Sequence, residues 1–349
     1  MNTEKSFNPA MFKLAREFRG YTQKDLEIKS GIKQGVLSRY EHSLRVPGEE
    51  HLALIANALQ FPEDFFFQKG EDYPTGIIFH RKFSSLKIKE KSRIEAEVKM
   101  RLFCLRPLIP ELEIDTEIPD IDLEKYSDDA TKVAQAIRYY WKIPSGPIKN
   151  LIELLEDKGI VIFRFDFGTS LLDGFFVYDD IPCIAINTRA PMDRQRFTIA
   201  HELGHLLMHK ISNDEAENQA NQFAAEFLMP ATDMNEFFKI SKIDLGYLGS
   251  LKPIWRVSIA ALLRRAYDLG YITPTYFKRL NIQINQLGYK KKEPFAIDNE
   301  REGLLKEIIQ TYKEGMEYSD DELAKIMHLS FQDYLHFFSP FQIFNYRTL

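Results

Sequence analysis

Residues 191–210 read PMDRQRFTIAHELGHLLMHK, and residues 215–230 continue EAENQANQFAAEFLMP. Both stretches have helical periodicity. In the first, His201 and His205 stand four positions apart, so on a helix they share one face and both imidazoles can reach one metal ion. Glu202 is turned by about 100° from His201 around the helix axis. That sets it beside such an ion, where a carboxylate can take a proton from an activated water. Imidazole and carboxylate donors with one open position suit zinc. The third donor is expected from the second helix, with Glu217 and Glu215 as candidates and Glu226 more remote. Glu217 has Asn221 one turn later and Glu215 has Gln219 at the same offset, so spacing leaves the choice open. Either amide could orient a ligating histidine. His209 lies two turns past His201, about 11 Å along the axis. It is expected to pack or to orient a ligand rather than to bind the ion.

Upstream of this stretch, SDDATKVAQAIRYYWKI reads as a capped helix and IKNLIELLEDKG as another. IVIFRFDF, GFFVYDD and IPCIAIN read as three short strands. Downstream, residues 231–349 are expected to be mostly helical, with LKPIWRVSIAALLRRAYDLGYIT as one helix that exposes Arg256, Arg264 and Arg265. His328 and His336 have no acidic partner pattern and read as ordinary packed or surface histidines.

The N-terminal part has a different rhythm. Residues 10–19 form a short amphipathic helix. Thr22 is placed to cap a helix through Ser30, with Asp25 at its third position and Gly31 at its end. A further helix spans about Gln34 to Glu41. Pro47 breaks the chain, and EEHLALIANALQ sets Leu52, Ile55, Ala56 and Leu59 on one face. Residues 81–106 carry nine Lys/Arg against three Glu, and residues 111–129 carry nine Asp/Glu against one Lys. Two solvated faces that partly neutralise each other are one reading; a basic strip beside nucleic acid is the other.

With 349 residues, 44% of them hydrophobic, the chain has material for two or three domains. Its two cysteines exclude a disulfide framework and any cysteine-rich metal site. No apolar run reaches the roughly 20 residues of a membrane span, and the polar N-terminal segment has no apolar signal core. The expectation is a cytoplasmic protein with no membrane partner.

AHELGHLLMH followed by ExxANQFAAEFLMP resembles the ImmA/IrrE family of zinc-dependent metallopeptidases, over roughly residues 127–235. The resemblance implies zinc held by His201, His205 and Glu217, Glu202 as catalytic base, and Asn221 behind a ligand. It also implies that the strand IPCIAIN is a sheet edge able to pair with an extended substrate. The substrate it implies is a protein, commonly a helix-turn-helix repressor. Tyr178 and His209 are candidates for a second donor to the oxyanion.

FRGYTQKDLEIKSGIKQGVLSRYEHSLRVPGEEHLALIANAL resembles the helix-turn-helix of phage-repressor-like (XRE) regulators. That resemblance implies double-stranded DNA as a partner, with Gln34, Gly35, Ser38 and Arg39 facing bases and Gln23 touching phosphate. It also implies a homodimer on a palindromic site. Glu27 stands where many relatives have alanine, an awkward residue at a tight helix contact. Residues 1–70 carry ten Lys/Arg and nine Asp/Glu, too balanced for strong non-specific DNA binding.

The expected fold class is α+β. Residues 1–70 form an all-helical head, 71–126 are basic and acidic linker helices, 127–235 are a gluzincin-like peptidase domain with a small sheet, and 236–349 are a helical C-terminal domain. The expected function is a DNA-binding regulator fused to a zinc endopeptidase. The alternative is a repressor, or an antitoxin-like or defence protein, whose peptidase fold senses or docks without turnover.

Overall fold

The computed structural model describes residues 6–69, 86–109, 117–177, 181–209 and 214–338. These form two compact units and confirm an α+β protein. The first combines the N-terminal residues through 109 with residues 303–338; the second spans 117–302.

The first unit begins with four helices, α1 (Pro9–Phe18), α2 (Gln23–Ser30), α3 (Gln34–Glu41) and α4 (Glu49–Leu59). The caps match the sequence. The Thr22 side chain accepts from the Asp25 N–H, and the Asp25 carboxylate accepts from the Thr22 N–H, so two orphan donors at the start of α2 are satisfied reciprocally. Gly31 ends α2 at φ 74°, a left-handed conformation that favours glycine.

α5 (Ile88–Leu105) is the spine of this unit rather than a linker. Ile94, Ala96, Val98, Met100, Leu102 and Leu105 are all buried, which the high density of charge in 81–106 had hidden. Its charges are largely used within the unit: Arg101 pairs with Glu97 at 2.8 Å, Lys89 with Asp25 at 3.3 Å and Lys91 with Glu95 at 3.8 Å. Residues 81–85 of the basic stretch lie outside the described residues.

The unit is completed by α14 (Leu304–Gln310), α15 (Asp320–Ile326) and α16 (Phe331–Phe338). The guanidinium of Arg19, just past α1, donates to both carboxylate oxygens of Asp333 on α16, at 2.7 and 2.6 Å, and to the Leu59 and Gln60 carbonyls at the end of α4. It lies over the Phe61 ring, 4.7 Å from the centroid. Phe337 of α16 packs edge-on against Phe18 and beneath Arg101. His328 does have an acidic partner, Asp64, at 2.7 Å.

The second unit holds α6 (Ala130–Tyr140), α7 (Leu151–Glu156), strands β1 (Val161–Phe165), β2 (Gly174–Val177) and β3 (Cys183–Asn187), then α8 (Met192–Met208) and α9 (Asp214–Leu228). α10 (Ala231–Phe238), α11 (Leu245–Trp255), α12 (Ile259–Asp268) and α13 (Pro274–Gln286) follow. The sheet order is β1-β3-β2, with β3 parallel to β1 and antiparallel to β2. β3 is therefore central. Both its edges are bonded, so IPCIAIN is not the edge strand that the resemblance implied.

The boundary expected at 235 does not divide the structure. One hydrophobic core runs from Ala130 to Ile284 and holds Leu203 and Phe227 together with Trp255, Leu262 and Leu263. Three buried ion clusters tie residues 252–300 to the helices of the HExxH stretch. Glu226 pairs with Arg265, Lys252 sits between Asp193 and Glu293 at 2.5 and 2.9 Å, and Arg196 pairs with Glu300. Glu300 also accepts from the Leu151 and Ile152 N–H groups at the start of α7. Arg265 is buried rather than exposed, because its charge is met by Glu226. The single helix expected over 251–273 is broken at Arg256, whose φ is 55°.

Gly204 and Gly174 fix two close approaches. A Cβ at Gly204 would stand 3.1 Å from the ring of Phe223 on α9, and one at Gly174 would meet Thr198 of α8 at 2.7 Å. Among the described residues no helix is long and apolar enough to cross a membrane.

Because Arg19 and Asp333 join α1, α4 and α16 at one point, Asp333→Ala should cost the first unit on the order of 2 kcal/mol by leaving a partly buried guanidinium short of its acceptor. A urea titration followed by amide exchange within α1 and α4 measures this. Equal protection with and without the carboxylate would show that α16 does not support the head.

Candidate metal centre and nucleic-acid interface

His201 and His205 lie on the inner face of α8 and are both buried. α9 crosses α8 where Gly204 admits Phe223, and this brings Glu217 to the two imidazoles. The Nε2 atoms of His201 and His205 are 3.1 Å apart. Glu217 Oε2 is 3.6 Å from the first and Oε1 3.4 Å from the second. Bonds of about 2.0–2.2 Å in a tetrahedron put neighbouring ligand atoms about 3.3–3.6 Å apart. One donor atom from each of the three side chains lies within 4.8 Å of the others, a spacing that a zinc-sized ion can draw together. Among the described residues this is the one cluster of histidine and carboxylate donors able to hold a metal.

The outward nitrogens are engaged. His201 Nδ1 is 3.1 Å from Asn221 Oδ1, and His205 Nδ1 is 3.0 Å from His209 Nδ1. Phe176 of β2 stacks on the His205 ring, with centroids 6.2 Å apart and planes at 16°. Hydrogen bonds from His201 and His205 hold the Glu217 carboxyl well below the usual carboxylate range, so it is anionic. Burial pushes the His209 imidazole down to about 4, with the neighbouring histidines adding to the effect. Glu202 is buried on α8, one residue from His201.

In the first unit, α3 presents Gln34, Gly35, Ser38 and Arg39 on one side, while Leu37 and Tyr40 on the other are fully buried. Gln34 and Gln23 are held in a network. Gln34 Nε2 donates to Gln23 Oε1 at 2.6 Å, and Gln23 Nε2 donates to Glu41 Oε2 at 2.8 Å. Glu41 in turn accepts from Arg16, which also donates to the Tyr21 carbonyl. The two glutamines at the α2–α3 junction are thus preset rather than loose. Arg39 is exposed, and no atom lies within 4 Å of a Cβ at Gly35, so a close surface can approach here. Glu27 causes no clash: it is half-buried and faces Lys33 at 3.7 Å across the turn.

Residues 12–66 match the family of helix-turn-helix domains, and residues 155–267 match the IrrE N-terminal-like domain. The chain thus joins a stretch similar to helix-turn-helix domains to one similar to the IrrE N-terminal-like domain. The Metallopeptidase ImmA of Bacillus subtilis (strain 168) is 32% identical over 102 residues, which cover 25% of this chain and 58% of that protein. The chain therefore spans less than two thirds of this relative's length. The matched region ends at 267, past the 235 that the motifs suggested, as the shared core of α8, α9 and α12 requires.

Of the alternatives left open by spacing, Glu215 is exposed and Glu226 is bonded to Arg265, so only Glu217 reaches the histidines. Tyr178 lies outside the described residues. His209 uses both ring nitrogens, one on His205 and one on Gln219 at 2.9 Å. It is not placed to donate to an oxyanion. The spacing offered Gln219, one turn after Glu215, as an amide able to orient a ligating histidine; in the structure it bonds His209. The ion pairs that hold α8 from residues 252–300 were also missed, since nothing in local spacing signals them.

Two substitutions separate the candidate donors. Glu217→Ala should remove bound zinc from the purified chain, while Glu215→Ala should leave about one ion per chain by elemental analysis. Metal loss in the second and retention in the first would overturn the assignment. Gly204→Ala should weaken zinc while leaving the metal-free fold intact, because its methyl presses on Phe223 where Glu217 is brought in.

Proposed function

We propose that the second unit is a zinc-dependent endopeptidase and that the head directs it to DNA in the cytoplasm. The observation that carries this reading is the convergence of donor atoms from His201, His205 and Glu217, with Glu202 one step around the same helix. Bound there, zinc supplies Lewis-acid polarisation of the scissile carbonyl and activation of water. Glu202 takes the proton of the attacking water and returns it to the leaving amine nitrogen. Asn221 holds the His201 ring, and the Phe176 ring backs His205, so neither donor can swing out of the site. The buried pairs Arg196–Glu300 and Asp193–Lys252 hold the first turns of α8 against the rest of the unit and fix the direction from which Glu202 approaches.

The substrate we infer is a protein, a transcriptional regulator of the helix-turn-helix repressor class. The fusion supports this: a DNA-reading head places a protease where such regulators sit. On the head, Arg39 reads a guanine edge, Gln34 reads an adenine held in register by Gln23 and Glu41, and Gly35 and Ser38 allow the backbone to come close. Two chains bind a palindromic site as a homodimer.

Glu202→Gln keeps shape and polarity but removes the base. It should keep its zinc and lose cleavage of a supplied repressor by about two orders of magnitude or more. Undiminished cleavage would move the base elsewhere, and no cleavage by the parent chain against a panel of regulators would favour a sensing role. Arg39→Ala should cost about 1–3 kcal/mol in operator binding and relax specificity at one base pair, measured by titration of labelled duplex at fixed salt.

A further inference from the structure

We infer that His209 and Gln219 are positioning residues for the metal centre, forming a neutral hydrogen-bonded relay that sets the tautomer and ring angle of His205. The inference rests on the reading of His201, His205 and Glu217 as metal ligands and not on any peptidase activity.

α8 ends at Met208, and His209 leaves the helix with φ −122° and ψ 127° while its N–H still donates to the His205 carbonyl at 3.0 Å. That turn brings the ring back beside His205, with centroids 5.1 Å apart and planes at 61°. It explains how a residue two turns beyond His201 comes to act on the cluster at all.

The proton positions follow from one requirement. His205 directs Nε2 toward His201 and Glu217, so as a ligand it must keep the lone pair there, and its ring proton sits on Nδ1. The facing His209 Nδ1, 3.0 Å away, must then accept. His209 therefore carries its proton on Nε2, and the atom 2.9 Å beyond it is the Gln219 carbonyl oxygen, an acceptor. The Gln219 amide nitrogen is turned the other way, toward the Asp128 carbonyl at 3.5 Å. Gln219 is buried, so its amide is held in this sense by its two partners. Every donor in the row meets an acceptor, and no member carries charge.

α9 thus supplies three groups to the site at 217, 219 and 221: a carboxylate for the ion, an amide that acts on His205 through His209, and an amide that acts on His201 directly. A ligating histidine is more commonly backed by a carboxylate, carbonyl or water. A neutral imidazole–amide row orients the ring without the extra basicity a carboxylate lends.

The test uses the full chain with zinc alone as probe, in competition with a chelator, and nitrogen-15 NMR of its histidines. Zinc-loaded parent protein should show His205 protonated on Nδ1 and His209 on Nε2. His209→Leu should weaken zinc by about 10–100-fold, and Gln219→Leu by a smaller factor. Gln219→Glu, which restores an acceptor to His209, should bind zinc at least as tightly as the parent. A merely structural role would lower the melting temperature of both Gln219 variants without separating their zinc affinities. The inference falls if either ring holds the opposite tautomer, or if folded His209→Leu binds zinc as the parent does. Should His209→Leu not fold, the tautomers and the Gln219 pair decide. A parent chain that binds no zinc overturns the ligand assignment itself, and zinc binding without proteolysis overturns only the peptidase reading.

Discussion

The close crossing of α8 and α9 is the constraint on which the second unit depends. Two histidines on one helical face make half a metal site; the other half must come from a separate element brought within a few ångströms. Gly204 permits this, since any side chain there would meet the buried Phe223 ring. The same crossing places Asn221 against the outer nitrogen of His201, and Gln219 against His209, which in turn meets the outer nitrogen of His205. Ligand geometry and ligand orientation are therefore one packing problem, solved where the chain has no Cβ.

Holding α8 in place requires more than the sheet and α9. Its first turns contain Asp193 and Arg196, both buried charges that are costly unless paired. Their partners, Lys252 and Glu300, come from residues beyond the HExxH and ExxAN stretches. Glu226 and Arg265 make a third such bond from α9 to α12. Each cluster leaves a buried charge exposed to its full desolvation cost if the later helices are removed. This is why α10 to α13 belong to the same core and cannot be a separate domain.

A parallel logic operates in the first unit. Helix-turn-helix heads are often described as four or five helices in a continuous stretch, yet here the end of α4 and the end of α1 share one guanidinium with α16, more than 270 residues away in the chain. The basic stretch that suggested a nucleic-acid surface instead supplies the central helix α5. Lys87 and Lys89 are exposed at its start, Arg101 is buried with Glu97, and several of its charges are paired within the unit. Charge counted along the chain does not reveal which way side chains face once three or more helices surround the segment.

The sequence by itself determined what is local. Helical phase put His201 and His205 on one face, the Thr22–Asp25 pair and Gly31 set the limits of α2, and the apolar runs marked three strands. Each of these follows from interactions within a few residues, so no knowledge of the remainder was needed. Only the tertiary structure decided the long-range pairings. Glu217 and Glu215 are equivalent by spacing; one faces the histidines and the other faces solvent because of how α9 rolls onto α8. Strand order is likewise invisible in three similar apolar runs, and β3 proved central because it turns back antiparallel from β2 into the position beside β1. His328 looked isolated for the same reason, since its partner Asp64 lies 264 residues away. Such contacts depend on the burial of whole faces, and a one-dimensional pattern records the face but not what covers it.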